Sequence, residues 1–411
     1  VDWSYDGARG HHVGPDGAVL AYRSGGRYPR ASDLAVLQED FADPTVVEVD
    51  GTFYMYGTAT TRLARTRSAG GSEGPFVASG ERVSDGFTVV PVRAQVARSR
   101  DLHAWELLPF DALAALPQWL PSGNVAVSVW ASHPVLSPSG TALLYYSLVL
   151  TRYRDPARRL AGSVTSHVSV ATADRPEGPF LDRTAAPLLS GPGYRCIDPF
   201  VHLGDDGWAL VVGSDGADIT EHALDDTGTR VRVPSGPGRR LLAPRAGDVY
   251  HRVQEAPYLA GDLLLTSGAD CFANDKPREW AFPDEPGAEY DWYRYGGYAV
   301  LQALPGDAGF ASRTGPDGVL DDVVLEGNED VKNPGNACVV ETGGRTYLVG
   351  HLIDRDDQYL GRTAAERRAK VNRRLPFVVE AFRRADGSLE VPGGQFHRDH
   401  RGPEHAVRHF R

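Results

Sequence analysis

The sequence predicts an all-β chain, a five-bladed β-propeller whose blades are four-stranded antiparallel sheets. Three observations predict it. A Gly-centred turn followed by an aromatic or aliphatic strand recurs five times along the 411 residues. Amphipathic periodicity of 3.6 residues is nearly absent. Radial repetition is also one of the few ways to arrange so many short antiparallel strands without long exposed edges.

The five hairpins follow one another in order. DPTVVEV from Asp43 leads into DGTFYMYGT, HPVLSP from His133 into SGTALLYYS, and DPFVHL from Asp198 into DGWALVVGS. EAPYLA from Glu255 then leads into AGDLLLTSG, and NACVVET from Asn336 into GGRTYLVGH. In each, Gly supplies the turn, and the residues after it suit a pleated, half-buried surface. HVSVATA from His167 and GYAVLQAL from Gly297 supply further strands between hairpins. Equivalent hairpins lie roughly 55 to 90 residues apart, longer than regular propeller repeats, so insertions decorate the units. The stretches Ala59 to Val89 and Cys271 to Tyr295 are long insertions at the expected active face. The best helical candidate, TAAERRAKVNRR from Thr363, carries polar residues on all faces and reads as a surface helix or ordered insertion. No linker or composition shift marks a second domain. Residues 1–411 therefore read as one five-bladed catalytic domain, with 1–35 and 395–411 as terminal appendages.

Composition bounds the function. Lys and Arg number 43 against 54 Asp and Glu, a formal charge of −11, so a phosphate backbone is repelled and nucleic acid is excluded as a partner. Apolar runs such as GTALLYYSLVL from Gly140 fall short of the roughly 20 residues of a membrane helix, and no membrane partner is expected. Cys196, Cys271 and Cys338 are too few and scattered for a disulfide framework or a CxxC metal site, and read as buried thiols. The first residues, VDWSYDGARGHH, lack the basic and apolar regions of a signal peptide. The expectation is a cytoplasmic protein, with a secreted mature form left open.

Three hairpins begin with an acidic residue close to a Pro: Asp43, Asp198 and Glu255. In a propeller the first strands surround the axis, so these carboxylates converge at one end of the channel. Like charges gathered in a partly dry pocket push pKa values apart, which lets one site hold an ionised base beside a protonated acid. Phe41 and Trp130 offer aromatic faces for a sugar ring. Arg294 sits with Tyr295 in an aromatic-rich stretch, and His351 follows a buried-looking strand toward the axis.

These residues resemble glycoside hydrolase family 43. DFADPTVVEVDGTFYMYGT is similar to its first-blade motif, CIDPFVHLGDDGWALVVGS to its third-blade motif, and QEAPYLAGDLLLTSG to the segment that carries its acid. SVWASHPVL from Ser128, SVATADRPEGPF from Ser169 and NPGNACVVETGGRTYLVGHL from Asn333 match in the same order, over about residues 38 to 380. The resemblance implies hydrolysis with inversion: Asp43 as general base, Glu255 as general acid, and Asp198, held ionised, as the residue that orients the acid and raises its pKa. Ser132 replaces the family's usual Pro in the second-blade segment. Asn336 stands where the family often places a His that helps hold calcium or ordered water on the axis. No cofactor is required, and a calcium ion held with the help of the Asn336 amide is left open.

The implied partner is an oligosaccharide or polysaccharide, and the implied activity is removal of terminal pentose or furanose residues, α-L-arabinofuranosidase ahead of β-D-xylosidase. The alternatives are an endo-acting arabinanase or an exo-galactofuranosidase of the same family, a propeller that binds carbohydrate without turnover, and a related enzyme that transfers the sugar to phosphate.

Overall fold

Side chains of a strand alternate between its two faces, so a strand buried on both faces reads as an unbroken apolar run. The second strands here are of that kind. In LLYY, Leu144 and Tyr146 pack toward the preceding blade, while Leu143 and Tyr145 pack toward the following one. In FYMY, Tyr54 and Tyr56 face one neighbour, and Phe53 and Met55 the other.

The computed structural model describes residues 4–6, 11–13, 19–21, 34–37, 40–58, 62–65, 82–83, 87–90, 93–121, 125–155, 160–213, 216–233, 236–244, 253–268, 298–312, 322–327, 331–354, 374–392 and 394. All named elements among them are strands. Blade I runs outward from Ala42–Val49 through Thr52–Thr58 and Ala94–Ser99 to Trp105–Leu107. Blade II comprises Val125–Leu136, Ala142–Asp155, Leu160–Ala173 and Leu189–Pro192. Blade III comprises Ile197–Gly204, Gly207–Gly213, Ile219–Ala223 and Arg239–Leu242. Blade IV comprises Gln254–Ala260, Leu263–Gly268, Ala299–Gly306 and Gly309–Ser312, with Val323–Leu325 added beside its third strand. Blade V comprises Val331–Thr342, Arg345–Asp354, Leu375–Arg383 and Leu389–Glu390. The expected five four-stranded antiparallel sheets are all present.

The first strand of each blade touches the first strand of the next, and that of blade V returns to that of blade I, so these strands surround the axis. Five apolar clusters among the described residues fill the five interfaces between blades, including V against I, where Met55 and Phe53 meet Cys338 and Val349. Each fully buried Leu or Phe contributes about 1.5–3 kcal/mol, and the ring closes because every blade has two partners. Residues 34–37, 40 and 41 lace the closure: Val36 N–H donates to Pro376 O and Phe41 N–H to Arg374 O, on the third strand of blade V and just before it.

Local turn chemistry fixes the hairpin registers. Val49 pairs with Thr52 across Asp50-Gly51, whose φ values are 49° and 69°. Two positive φ values define the type I′ turn that matches strand twist. Two small sheets accompany the ring, one of Ser4–Asp6, His11–Val13 and Val19–Ala21, and one of Arg62–Arg65, Arg82–Val83 and Phe87–Val90. The second lies within the insertion expected from Ala59. The insertion from Cys271 and most of the segment from Thr363 lie outside the described residues.

Candidate active site

The site starts with one backbone irregularity repeated five times. Each innermost strand slips register at an equivalent point: after Ala42, Trp130, Ile197, Glu255 and Gly335, which pair with Thr58, Ser147, Gly213, Ser267 and His351. The bulged residues that follow are Asp43, Ala131, Asp198, Ala256 and Asn336. Four of them take left-handed backbone, with φ of 51° at Asp43, 53° at Asp198, 53° at Ala256 and 47° at Asn336. Asp and Asn tolerate this region, but Ala pays about 1–2 kcal/mol for it. Such bulges re-aim side chains next to active sites.

A bulged residue turns its N–H out of the ladder, and a buried N–H needs an acceptor. The preceding blade supplies it. Ala131 N–H donates to Thr58 Oγ1 at 2.7 Å, Asp198 N–H to Ser147 Oγ at 2.9 Å, and Asn336 N–H to Ser267 Oγ at 2.7 Å. Asp43 N–H closes the circle by donating to His351 Nδ1 at 3.1 Å. Blade III has Gly213 at this place and no side chain to offer. There Ala256 N–H donates to Asp198 Oδ2 at 3.0 Å instead. A Cβ on Gly213 would stand 3.0 Å from Ala256 N and 3.0 Å from Glu255 Cα, so the bare backbone is what lets this strand approach.

Three side chains hold the Asp43 carboxylate and leave Oδ2 room for a further donor. Thr58 Oγ1 donates to Oδ2 at 2.6 Å, Arg374 Nη1 to Oδ1 at 2.9 Å, and His351 Nδ1 lies 3.2 Å from Oδ1. Burial works to raise its pKa, but the Arg374 charge and the His351 and Thr58 contacts outweigh burial and hold the carboxyl below its usual range. His351 is wholly buried, which lowers its pKa and keeps it neutral. Its Nδ1 serves the Asp43 amide as acceptor in one tautomer and the Asp43 carboxylate as donor in the other. Its Nε2 is buried without a hydrogen-bond partner among the described residues.

Asp198 behaves in the opposite way. Burial first, then the charges of Glu255 and Asp43, push it well above the usual carboxylate range, against the pull of the Ala256 N–H and Arg374. Asp198 and Glu255 thus form a coupled pair in which ionising both carboxyls at once is disfavoured. Asp198, expected as the ionised residue that raises the pKa of the acid, is the more deeply buried of the two and is itself pushed upward by Glu255. Glu255 is partly exposed and accepts from Tyr298 Oη at 2.7 Å through Oε1. It precedes its bulge, whereas Asp43 and Asp198 occupy theirs, and the charges of Glu255 and Asp43 both act on Asp198, which brings all three expected carboxylates into one site.

The other expected residues divide. Trp130 holds on blade II the pre-bulge place that Glu255 holds on blade IV, and stacks on Tyr194 with centroids 5.5 Å apart and planes 9° apart. Phe41 is fully buried in the I–V interface with its ring against Gly57, whose missing Cβ leaves the space. It presents no face to a sugar, which corrects the expected stacking role. Arg294 lies outside the described residues. Asn336 lines a small axial cavity of about 10 Å³ with Thr45, Ser132, His133, Asp198 and Tyr258. That is room for about one water. Ser132 Oγ and His133 Nδ1 are buried without partners among the described residues. One carboxylate, an amide, three hydroxyls and an imidazole suit a water better than the six to eight oxygens Ca²⁺ takes.

Two residues of this site escape sequence reasoning. Arg374 ends the polar segment from Thr363, and its only local signal is its place directly before a buried strand. Tyr298 follows Gly296-Gly297, and its signal is the bare Gly335 that seats it.

Residues 33–261, more than half of the chain, match the family model described as glycosyl hydrolases family 43. No curated protein matches. Solved structures are similar in fold. An endo-1,4-beta-xylanase from Bacteroides thetaiotaomicron VPI-5482 is 18% identical with a TM-score of 0.55, over 86% of this chain and 94% of that one. The Cellvibrio cellulosa alpha-L-arabinanase complexed with arabinohexaose is 17% identical with a TM-score of 0.54, over 86% and 96%. An alpha-L-arabinofuranosidase from Clostridium thermocellum ATCC 27405 is 19% identical with a TM-score of 0.50, over 86% and 95%. The family match spans the strands that carry Asp43, Asp198 and Glu255, and the chain belongs to glycoside hydrolase family 43, the inverting glycosidases built on a five-bladed propeller.

Proposed function

We propose that the protein removes terminal pentosyl residues, α-L-arabinofuranosyl or β-D-xylosyl, from oligosaccharides, with Asp43 as general base and Glu255 as general acid. One observation carries the reading: equivalent bulges bring three carboxylates to one end of the axis, one held ionised by a cation and two whose joint ionisation is disfavoured. Inversion needs that division of labour. An anionic carboxylate draws the proton from a water on one face of the sugar, while a carboxylic acid protonates the departing oxygen on the other. Asp43 fits the first role because Arg374 keeps it charged. The Asp198–Glu255 pair fits the second, with Glu255, the more exposed member, delivering the proton and Asp198 anchored behind it on the Ala256 amide.

The glycone rests on the similar structures, which are an arabinanase, an arabinofuranosidase and a xylanase. Action at chain ends rests on the lengths of the insertions from Ala59 and Cys271, which tend to close a channel mouth. The test is a panel of aryl glycosides, α-L-arabinofuranoside, β-D-xyloside and β-D-galactofuranoside, with Asp43→Ala as control and the product anomer followed by NMR. Release of arabinose or xylose with inverted configuration, lost in the variant, is the expected result. Retained configuration, or equal release by Asp43→Ala, refutes the assignment of the base, and cleavage of polymer alone refutes action at chain ends.

A further inference from the structure

Of the five residues that precede the bulges, Ala42, Trp130, Ile197, Glu255 and Gly335, only the last lacks a side chain. The Tyr298 ring occupies the space. A Cβ on Gly335 would lie 2.0 Å from both Cδ1 and Cε1 of that ring. Tyr298 stands just before the third strand of blade IV, 2% exposed, with its N–H donating to Asn333 Oδ1 at 3.3 Å. Its ring lies parallel to that of His351, with centroids 5.9 Å apart and planes 9° apart. From this seat its hydroxyl donates to Glu255 Oε1 at 2.7 Å, while His351 reaches Asp43 on the other side. One buried phenol thus stands between the wall that carries the acid and the wall that carries the base.

We infer that Tyr298, seated on Gly335 and His351, is a positioning residue for Glu255: its hydroxyl fixes the carboxyl rotamer and leaves Oε2 as the oxygen that delivers the proton. The inference rests on Glu255 being the acid. A phenol O–H that donates to Oε1 occupies that oxygen as acceptor, so the acidic proton goes to Oε2. The same hydrogen bond favours the ionised form of Glu255, while the neighbouring Asp198 carboxyl opposes ionisation. Arg374 and neutral His351 face Asp43 on the far wall. Tyr298 therefore lowers the pH at which the acid is spent, and in exchange holds it in the geometry of proton transfer.

The test compares Tyr298→Phe, which keeps the ring on Gly335 and removes only the donor, with Glu255→Ala, both as the full chain. It uses aryl glycosides of graded leaving-group pKa on the glycone the enzyme accepts. For Tyr298→Phe, kcat/KM on the poorest leaving groups falls about ten- to a hundred-fold, the size of one lost hydrogen bond to a charged group. Good leaving groups are spared, and the alkaline limb of the pH profile moves to higher pH. Gly335→Ala, which displaces the ring, gives the same selective loss, and should it fail to fold, Tyr298→Phe decides alone. If Glu255→Ala loses the poor leaving groups while Tyr298→Phe keeps the wild-type leaving-group dependence and pH limb, the positioning role is refuted and the acid assignment stands. If Glu255→Ala slows all leaving groups equally, the acid assignment fails and this inference fails with it.

Discussion

The amide of Ala256 donates to the carboxylate of Asp198 at 3.0 Å, at the point of the ring where three blades use a hydroxyl and one a histidine. The exception exists because Gly213 offers no side chain. Asp198 thereby serves as structure and as electrostatics at once: it satisfies a strained backbone group of the strand that bears Glu255, and its charge and that of Glu255 oppose each other.

Restoring the missing hydroxyl separates the two roles. In Gly213→Ser the new Oγ competes for the Ala256 N–H and releases Asp198. We expect a folded protein whose kcat/KM is lower by about ten- to a hundred-fold, with the alkaline limb moved upward because Asp198 has lost the donor that favoured its ionised form. Gly213→Ala adds the same Cβ contact without a competing acceptor. If the two variants have equal pH profiles, the Asp198–Ala256 bond does not tune the pair.

Arg374 sets the charge of Asp43. With Arg374→Gln the cation is gone while burial remains, so the Asp43 pKa rises from its depressed value. The acid limb of kcat/KM then moves to higher pH, and activity near pH 5 falls far more than activity near pH 7. The same pair contributes to stability. Asp43 has a folded pKa below its unfolded value, so its contribution is full above about pH 4, the unfolded range, and is lost as pH falls through the folded value. Wild type should lose its stability advantage over Asp43→Asn below that point. Unfolding midpoints from pH 7 to 3 measure it, and an advantage independent of pH would count against the ion pair.

His133 adds a separate acid sensitivity. It is buried against Phe200 with Nε2 facing Val201 O at 3.1 Å, and burial lowers its pKa from 6.5 to about 4. The folded pKa lies below the unfolded one, so the unfolded chain binds a proton between pH 6.5 and 4 that the folded chain refuses, and stability falls as pH drops through that window. A shift of this size corresponds to about 3 kcal/mol. His133→Phe should flatten the decline of the unfolding midpoint between pH 6.5 and 4, even if its midpoint at pH 7 is lower. An unchanged slope would assign the acid sensitivity to other groups.

What the sequence made legible follows from how local each signal is. Asp50-Gly51 and the apolar run after it announce a hairpin by themselves, and Asp43-Pro44 and Asp198-Pro199 share a register that points at a common place on two blades. Arg374 meets Asp43 across 331 positions of sequence, and no local pattern marks a guanidinium for that carboxylate. Tyr298 and Gly213 matter because of side chains absent elsewhere. Aligning Thr58, Ser147, Gly213, Ser267 and His351 exposes the gap at Gly213, but only after the bulges fix the alignment. Phe41 misleads for a related reason: it adjoins the catalytic strand in sequence, yet Gly57 opens a seat for its ring inside the wall.

Trp130 and Tyr194 supply the last expectation. Their rings are parallel to within 9° at 5.5 Å, and Trp130 holds the pre-bulge place equivalent to that of Glu255. If Tyr194 acts only by holding the indole in position, truncating it weakens sugar binding through Trp130 and not independently. In an inactive Asp43→Ala background, calorimetric affinity for an oligosaccharide substrate should fall about ten-fold in Trp130→Ala, in keeping with the loss of one stacked aromatic face. The loss in Tyr194→Ala should be smaller. The double variant should be no weaker than Trp130→Ala alone, since residues in contact are not additive. Additive losses would instead mean that Tyr194 touches the sugar itself, and unchanged affinity in both would remove Trp130 from the binding surface.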